Sequence, residues 1–280
     1  MKIKVITSNI EIQSIIAHKR AKGLTIGLIP TMGALHNGHL SLVEEARKRV
    51  DYTIASIFIN PTQFDNNSDL QQYPRSLDSD IQKLDAVNCD IVYAPSEEEI
   101  YRDAEPFDFD FNGLNEFMEG EHRLSHFEGV VQVVKRLFEI IKPDVACFGL
   151  KDYQQYAIIK QMVNYFKLPV EIIGCPTIRE KNGLAMSSRN QLLSPEDISS
   201  ALLLSKTLKL IQSNYPKLSP TEINELAIGP LKERTSLEYL VIADSEKLRP
   251  IKEWAEAKHA RAFIAAKVGE VRLIDNLEIF

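Results

Sequence analysis

His36 and His39 stand three residues apart in the run Ile29-Pro30-Thr31-Met32-Gly33-Ala34-Leu35-His36-Asn37-Gly38-His39. Two imidazoles at that spacing can ligate a metal, donate hydrogen bonds to developing negative charge, or sit in a loop that caps a helix. Each use demands something different elsewhere in the chain. A zinc centre needs three or four ligands. The remaining histidines (His18, His122, His126, His259) form no matching pair, and neither do Cys89, Cys147 and Cys175. A phosphate site needs a strand before the histidines and a helix after them. Ligands bind outside the carboxyl ends of parallel strands, and a helix N-terminus offers N–H groups with partial positive charge. Gly38 lets a ligand approach the backbone, and the imidazoles can offset charge on a phosphate. Taken alone, the local pattern is met more often by a helix-capping loop.

Two further groups of polar residues follow apolar runs, and a third lies just past Pro176. Asn60 ends the run Tyr52–Asn60 and Gln63 follows it, where both can orient a small polar substrate or serve the turn around Pro61. In Phe148–Gln155, Lys151 can neutralise phosphate charge. Asp152 can accept ribose hydroxyls or cap a helix, and Gln155 faces the same mouth one turn on. Gly183–Asn190 carries Ser187, Ser188 and Arg189, which suit a loop closing on a polyphosphate or an interdomain linker.

The elements that must position these residues alternate along the chain. Leu24–Pro30, Tyr52–Asn60, Cys89–Pro95, Asp144–Gly149 and Pro169–Pro176 are apolar at nearly every position, as strands buried on both faces of a parallel sheet are. Helical spacing marks Ser41–Val50, Leu77–Val87, Val130–Ile141 and Tyr153–Phe166. Asp78 and Asp80 on the second of these can assist a metal, or form the helix's solvated face. Strand then helix, repeated, predicts a Rossmann-like, doubly wound parallel α/β sheet.

Beyond Pro176 the pattern changes. Ser194-Pro195 and Ser219-Pro220 read as helix starts. Leu237–Asp244 and Ala260–Phe280 read as strands, the latter a hairpin around Gly269. Two domains are expected: residues 1–176, binding nucleotide and a small polar substrate, and a smaller α+β domain, residues 177–280, carrying the Ser187–Arg189 loop and closing on the nucleotide.

Composition agrees with a globular protein. Of 280 residues, 44% are apolar and 26% charged, enough for a core. The net charge of −6 argues against a chain built to grip nucleic acid. Three widely spaced cysteines give neither a disulfide framework nor a zinc framework, and read as buried reduced thiols. No signal-peptide pattern opens the sequence and no apolar run reaches membrane-spanning length, so a soluble cytoplasmic protein is expected.

His-x-Gly-His with a later Met-Ser-Ser-Arg loop resembles the HIGH and KMSKS signatures of the nucleotidyltransferase superfamily that includes class I aminoacyl-tRNA synthetases. More specifically, "PTMGALHNGHLSLV", "SIFINPTQF", "DLQQYPR", "HFEGVVQVV", "FGLKDYQQ" and "GLAMSSRNQLL" together resemble the pantoate–β-alanine ligase family, in order and spacing, over most of the first 195 residues. The resemblance implies ATP-dependent condensation of (R)-pantoate with β-alanine to pantothenate, AMP and diphosphate through a pantoyl-adenylate. Pantoate would bind in the first domain with the nucleotide. Mg²⁺ would accompany the ATP phosphates, and the expected assembly is a homodimer.

It also implies roles. Met32, Gly33, Ala34, Leu35, His36, Asn37, Gly38 and His39 would line the ATP phosphate site, with His39 the principal donor and His36 its partner. Gly149, Leu150, Lys151 and Asp152 would contact ATP, Lys151 at the phosphates and Asp152 at the ribose. Ile178 would meet adenine through its backbone, and Met186, Ser187, Ser188 and Arg189 would form the closing loop. Gln63 and Gln155 would bind pantoate, with Asn60 ordering the substrates. The resemblance leaves the protein's own metal ligands unspecified, and likewise the base for the β-alanine amine.

Two positions depart from the family's usual pattern: Leu150 stands where glutamate is usual, and Leu124 where proline is. A cytidylyltransferase of the same superfamily would carry an RTxGIST-like second motif, which MSSRN matches poorly. A tRNA synthetase would need an anticodon-binding region for which this length has no room. A retired nucleotide-binding protein is disfavoured by the intact His36, His39, Lys151 and Ser187–Arg189 set.

Overall fold

The computed structural model describes residues 3–64, 70–71 and 73–280. Asp69 and Gln72 of the "DLQQYPR" motif lie outside the described residues.

Six strands form one sheet in the order β1-β4-β3-β2-β5-β6. They are β1 (Lys4–Ile6), β2 (Ile26–Thr31), β3 (Tyr52–Ile57), β4 (Ile91–Tyr93), β5 (Val145–Gly149) and β6 (Glu171–Cys175), and every pairing is parallel. The physical reason is visible in the burial. Consecutive residues such as Leu28-Ile29, Ile54-Ala55 and Ile91-Val92 are buried together, so both faces of the sheet are covered. Helices α1 (Asn9–Ala21), α2 (Asn37–Arg47), α3 (Leu77–Ala86), α4 (Glu97–Tyr101) and α6 (His126–Ile141) link these strands. In α6 the residues Phe127, Val130, Val134, Leu137 and Ile141 recur at helical spacing and are all buried.

Several elements differ from the sequence expectation: α1 and α4 form where no helix is expected, and α6 begins at His126 rather than Val130. Strand β1 has three residues, two of them exposed, and so carries no apolar run to reveal it. Helix α2 starts at Asn37 rather than Ser41, because His36 itself serves as its N-cap.

The strand order reverses between β2 and β5. The β2–β5 ladder runs only from Gly27↔Val145 to Leu28↔Ala146, whereas β2–β3 continues to Thr31↔Ile57. Strands β2 and β5 therefore part before their carboxyl ends, next to Pro30, which has no N–H to give a ladder. That is a topological switch point, where open α/β sheets leave a crevice.

Strands β7 (Ser236–Asp244), β8 (Ala260–Val268) and β9 (Val271–Glu278) form a separate antiparallel sheet. Helices α8 (Pro195–Asn214) and α9 (Pro220–Arg234) share its core. Leu204, Leu208 and Ile211 cluster there with Ile223, Leu231 and Ile264. Each such side chain contributes about 1.5–3 kcal/mol on burial. Both helices start as their sequence requires. Ser194 and Ser219 accept N–H bonds from Asp197 and Glu222, with proline at the first helical position.

By compactness the chain forms two units. One comprises Met1–Asn112, Arg123–Leu150 and Ile158–Pro176. The other comprises Gly113–His122, Lys151–Ala157 and Thr177–Phe280. Helix α5 (Glu119–His122) and the start of α7 (Tyr153–Tyr165) thus belong with the antiparallel sheet. Among the described residues no helix is long and apolar enough to cross a membrane.

Candidate active site

The two histidines are fixed by their own helix. His36 Nδ1 accepts the N–H of Gly38 at 3.1 Å, and His39 Nδ1 accepts the N–H of His36 at 3.3 Å. The result is a reciprocal capping box made of imidazoles, with ring centroids 4.1 Å apart. A ring nitrogen that accepts an N–H bond carries no proton, so each ring holds its proton on Nε2. Both Nε2–H groups are donors. The N–H of Gly38, one of the N-terminal donors of α2, is spent on His36.

The preceding turn, Met32–Leu35, leaves the carboxyl end of β2 by a left-handed path, with Gly33 at φ 83° and Ala34 at φ 50°. Helix α3 holds it there. Asp80 Oδ2 accepts the N–H of Ala34 and Oδ1 the N–H of Leu35, both at 2.8 Å. Ser76 Oγ donates to the same carboxylate at 3.2 Å, and Lys83 lies 3.8 Å from it. Lys83 Nζ also donates to the carbonyl of Leu35 at 2.7 Å. Asp80 is fully buried while Asp78 is exposed. The expectation of a solvated acidic face therefore holds for Asp78 and fails for Asp80. Its two oxygens are matched to main-chain donors 45 and 46 residues away in sequence, a pairing local spacing does not reveal.

At the end of β3, Asn60 N-caps a short 3-10 turn, Pro61–Gln63. Its side chain is fully buried and hydrogen-bonded through both its oxygen and its nitrogen. Oδ1 accepts from Tyr101 Oη at 2.7 Å and Thr62 Oγ1 at 3.1 Å, and Nδ2 donates to the carbonyl of Gly129 at 3.0 Å. Asn60 thus shapes the turn that presents Gln63. Gln63 Nε2 lies 2.9 Å from Met32 Sδ, which joins the loops that follow β2 and β3. The carbonyl of Gln63 accepts from His126 Nδ1 at 2.9 Å and from Arg123 Nη2 at 3.3 Å. Sequence reasoning misses Arg123 and His126, because no spacing signal links them to a residue some 60 positions earlier. Gly149 and Leu150 end β5 on the other side of the switch point. Leu124, the second departure from the family pattern, is 80% exposed.

The remaining predicted residues belong to the other unit. Lys151 and Asp152 lie in a 3-10 turn before α7 and pair at 3.4 Å. The carbonyl of Lys151 is held by Asn276 Nδ2 at 2.7 Å. The adjacent glutamines of "DYQQ" separate by function. Gln154 is buried, donating to the carbonyls of Leu114 and Phe117 and accepting from Glu119 N–H, while Gln155 is only partly buried. Ile178 and Met186 are brought together by a main-chain bond of 3.0 Å. Ser187 Oγ accepts the N–H of Arg189, so Met186–Arg189 leads into a short 3-10 turn, Ser188–Leu192, rather than an irregular linker. Arg179 grips buried Asp275 with both guanidinium nitrogens at 2.7 and 3.0 Å and steadies this hairpin.

Among the described residues no cluster of three or more His, Cys, Asp or Glu side chains is placed to hold a metal ion. All three cysteines are free and buried. A hydrogen bond to Cys175, with burial, pushes the Cys147 thiol up.

Comparison with known proteins covers nearly the whole chain. The family model described as Pantoate-beta-alanine ligase matches residues 4–278. A pantothenate synthetase of Christiangramia forsetii is 47% identical over 268 residues, 93% of each chain. That of Porphyromonas gingivalis is 44% identical over 95% of this chain and 96% of its own. The crystal structure of pantothenate synthetase from Thermus thermophilus superposes with a TM-score of 0.92 at 37% identity, covering 99% of this chain and all of that one. A pantoate-beta-alanine ligase from Francisella tularensis, complexed with beta-gamma ATP and beta-alanine, gives 0.80 at 36% identity, over 99% of this chain and 98% of its own.

Proposed function

The chain belongs to the pantoate–β-alanine ligase family, and on that premise we propose how its own residues divide the reaction. The enzyme condenses (R)-pantoate with β-alanine, consuming ATP and releasing AMP and diphosphate. In the first step a pantoate carboxylate oxygen attacks the α-phosphorus. The bond to the bridging oxygen breaks and diphosphate leaves, giving pantoyl-adenylate. The attacking oxygen is already ionised, so no base is required, but negative charges must be brought together. Offsetting that charge is the protein's main task.

His39 and His36 serve it through their Nε2–H donors, at the switch point where nucleotides bind in this fold. Lys151 supplies a full positive charge, and Mg²⁺ arrives with ATP as part of the substrate. Met32–Leu35, with Asn37 and Gly38, gives the phosphates a backbone wall, and Gly149 and Leu150 border it from β5. Asp152 takes the ribose hydroxyls, Ile178 the adenine edge, and Met186–Arg189 the phosphates. Gln63 and Gln155 hold pantoate, with Asn60 acting through the turn that carries Gln63. In the second step the β-alanine amine attacks the acyl carbon, AMP leaves, and the nitrogen loses a proton. The same reading takes residues 1–176 and 177–280 as the two domains, the protein as a cytoplasmic homodimer, and neither nucleic acid nor membrane as a partner.

The observation that supports this reading most directly is the imidazole capping box, which sets an Nε2–H donor on each ring at the β2 crevice. One assay tests it. The protein is incubated with ATP, Mg²⁺ and pantoate, β-alanine is then added, and diphosphate and AMP are followed separately. Diphosphate release should require pantoate, and AMP release should require β-alanine. AMP formation independent of both acids would overturn the reading.

A further inference from the structure

The structure assigns Asp80 and Lys83, one turn apart on α3, as positioning residues for adenylate formation: together they clamp the Ala34–Leu35 turn ahead of the histidine pair. This inference rests on the reading that His36 and His39 face the ATP phosphates.

Leu35 is gripped at both ends of its backbone. Its N–H goes to Asp80 Oδ1 at 2.8 Å and its carbonyl accepts from Lys83 Nζ at 2.7 Å. Ala34 is held through its N–H by Asp80 Oδ2 at 2.8 Å. Ala34 is left-handed at φ 50°, a conformation that costs a non-glycine residue energy unless its surroundings impose it. The carboxylate supplies that imposition. It lies fully buried, and its charge is balanced by two main-chain donors, the Ser76 hydroxyl and the Lys83 ammonium. Gly33 is fitted to the same carboxylate, since a methyl group on it would stand 3.2 Å from Asp80 Oδ2. His36 follows Leu35 directly and caps α2. The direction in which both imidazoles present Nε2–H therefore depends on a turn that α3 holds.

The load on this clamp differs between the two half-reactions. In adenylate formation the turn faces the whole triphosphate. Once diphosphate has left, only the α-phosphate remains, and aminolysis leans on the clamp far less. A group that merely supports the fold would affect both steps alike.

The variants Asp80→Asn and Lys83→Met, with Lys83→Arg as the conservative control, test the assignment. Two rates are measured for each. The first is pantoate-dependent exchange of labelled diphosphate into ATP. The second is AMP release from pre-formed pantoyl-adenylate on adding β-alanine. Asp80→Asn should lower exchange by about 10²-fold, the scale of loss from misplacing a positioned group by about 1 Å. Aminolysis should change by less than about threefold, well below that displacement penalty. Lys83→Met should lower exchange by about tenfold, the loss expected for one charged hydrogen bond, and Lys83→Arg should restore most of it. A folded Asp80→Asn protein with undiminished exchange, or with both rates reduced equally, overturns the assignment. If Asp80→Asn does not fold, the Lys83 pair decides by the same two criteria. His39→Ala is measured alongside: normal exchange there would remove the phosphate-facing reading itself, whereas its loss together with normal Asp80→Asn exchange would remove only the clamp.

Discussion

The α-carbon of Gly129 faces the peptide that joins Thr62 to Gln63. A methyl group built on it would lie 2.6 Å from the Thr62 carbonyl atoms and 2.7 Å from the Gln63 nitrogen. No side chain stands in that gap, and both sides are backbone. The first turn of α6 is thus seated directly on the turn that carries Gln63, with Asn60 Nδ2 and His126 Nδ1 bonded across the same junction.

Gly129→Ala should therefore act on catalysis and not only on stability. Backbone must move by several tenths of an ångström, and Gln63 moves with it. The expected result is a loss of kcat/KM for pantoate of about 10²-fold, with an overpacking cost of about 1–3 kcal/mol. Steady-state kinetics and denaturant unfolding of the same preparation check both parts.

His39→Ala removes one of the two Nε2–H donors and should reduce adenylate formation by about 10²-fold or more. His36→Ala removes a donor and also the ring that accepts the Gly38 N–H. It should therefore lose activity and in addition about 1 kcal/mol of stability from the lost cap. Because the box is reciprocal, His39→Ala gives up the bond to the His36 N–H as well, so unfolding midpoints should fall in both variants; an unchanged midpoint in His36→Ala would count against the cap.

Asn60→Asp is nearly isosteric yet should be strongly destabilising. The Nδ2–H donor to the Gly129 carbonyl becomes an oxygen facing an oxygen, at a site with no solvent exposure. Placing an uncompensated charge there costs about 3–5 kcal/mol. Urea unfolding at neutral pH should show this loss, and Thr62→Val, which removes only one hydroxyl donor to Asn60, should show far less.

Alkaline pH should expose the buried thiols. Burial pushes the Cys89 thiol up to about 11 from an ordinary value of 9.0. The folded protein therefore keeps a proton that the unfolded chain loses. Stability is unaffected by this group below pH 9, falls as pH rises from 9 towards 11, and is lost to the extent of about 2–3 kcal/mol beyond. Unfolding measured across that window should slope more gently in Cys89→Ala than in the parent. At pH 8 none of the three thiols should react with a disulfide reagent until the chain unfolds, since all three are buried.

Much of this protein was legible in its sequence because the signals are local. Five apolar runs become parallel strands; four of them are buried on both faces, where two covered faces leave no polar alternation, while β6 at the sheet edge buries only Cys175. Ser194-Pro195 and Ser219-Pro220 start helices because capping chemistry is settled within four residues. The histidine pair, the lysine turn and the Met-Ser-Ser-Arg turn are short motifs whose residue types survive any register error, and they carry the family resemblance. Tertiary structure alone decided which member of each polar pair turns inward. Asp80 holds the Met32–Leu35 turn while Asp78 meets solvent, and Gln154 is consumed by main-chain partners while its neighbour Gln155 is only partly buried. His126, Arg123 and Gly129 fix Gln63 from some 60 residues away. Periodicity assigns a residue to a face of its own helix, but only the crossovers of a parallel sheet determine what that face meets.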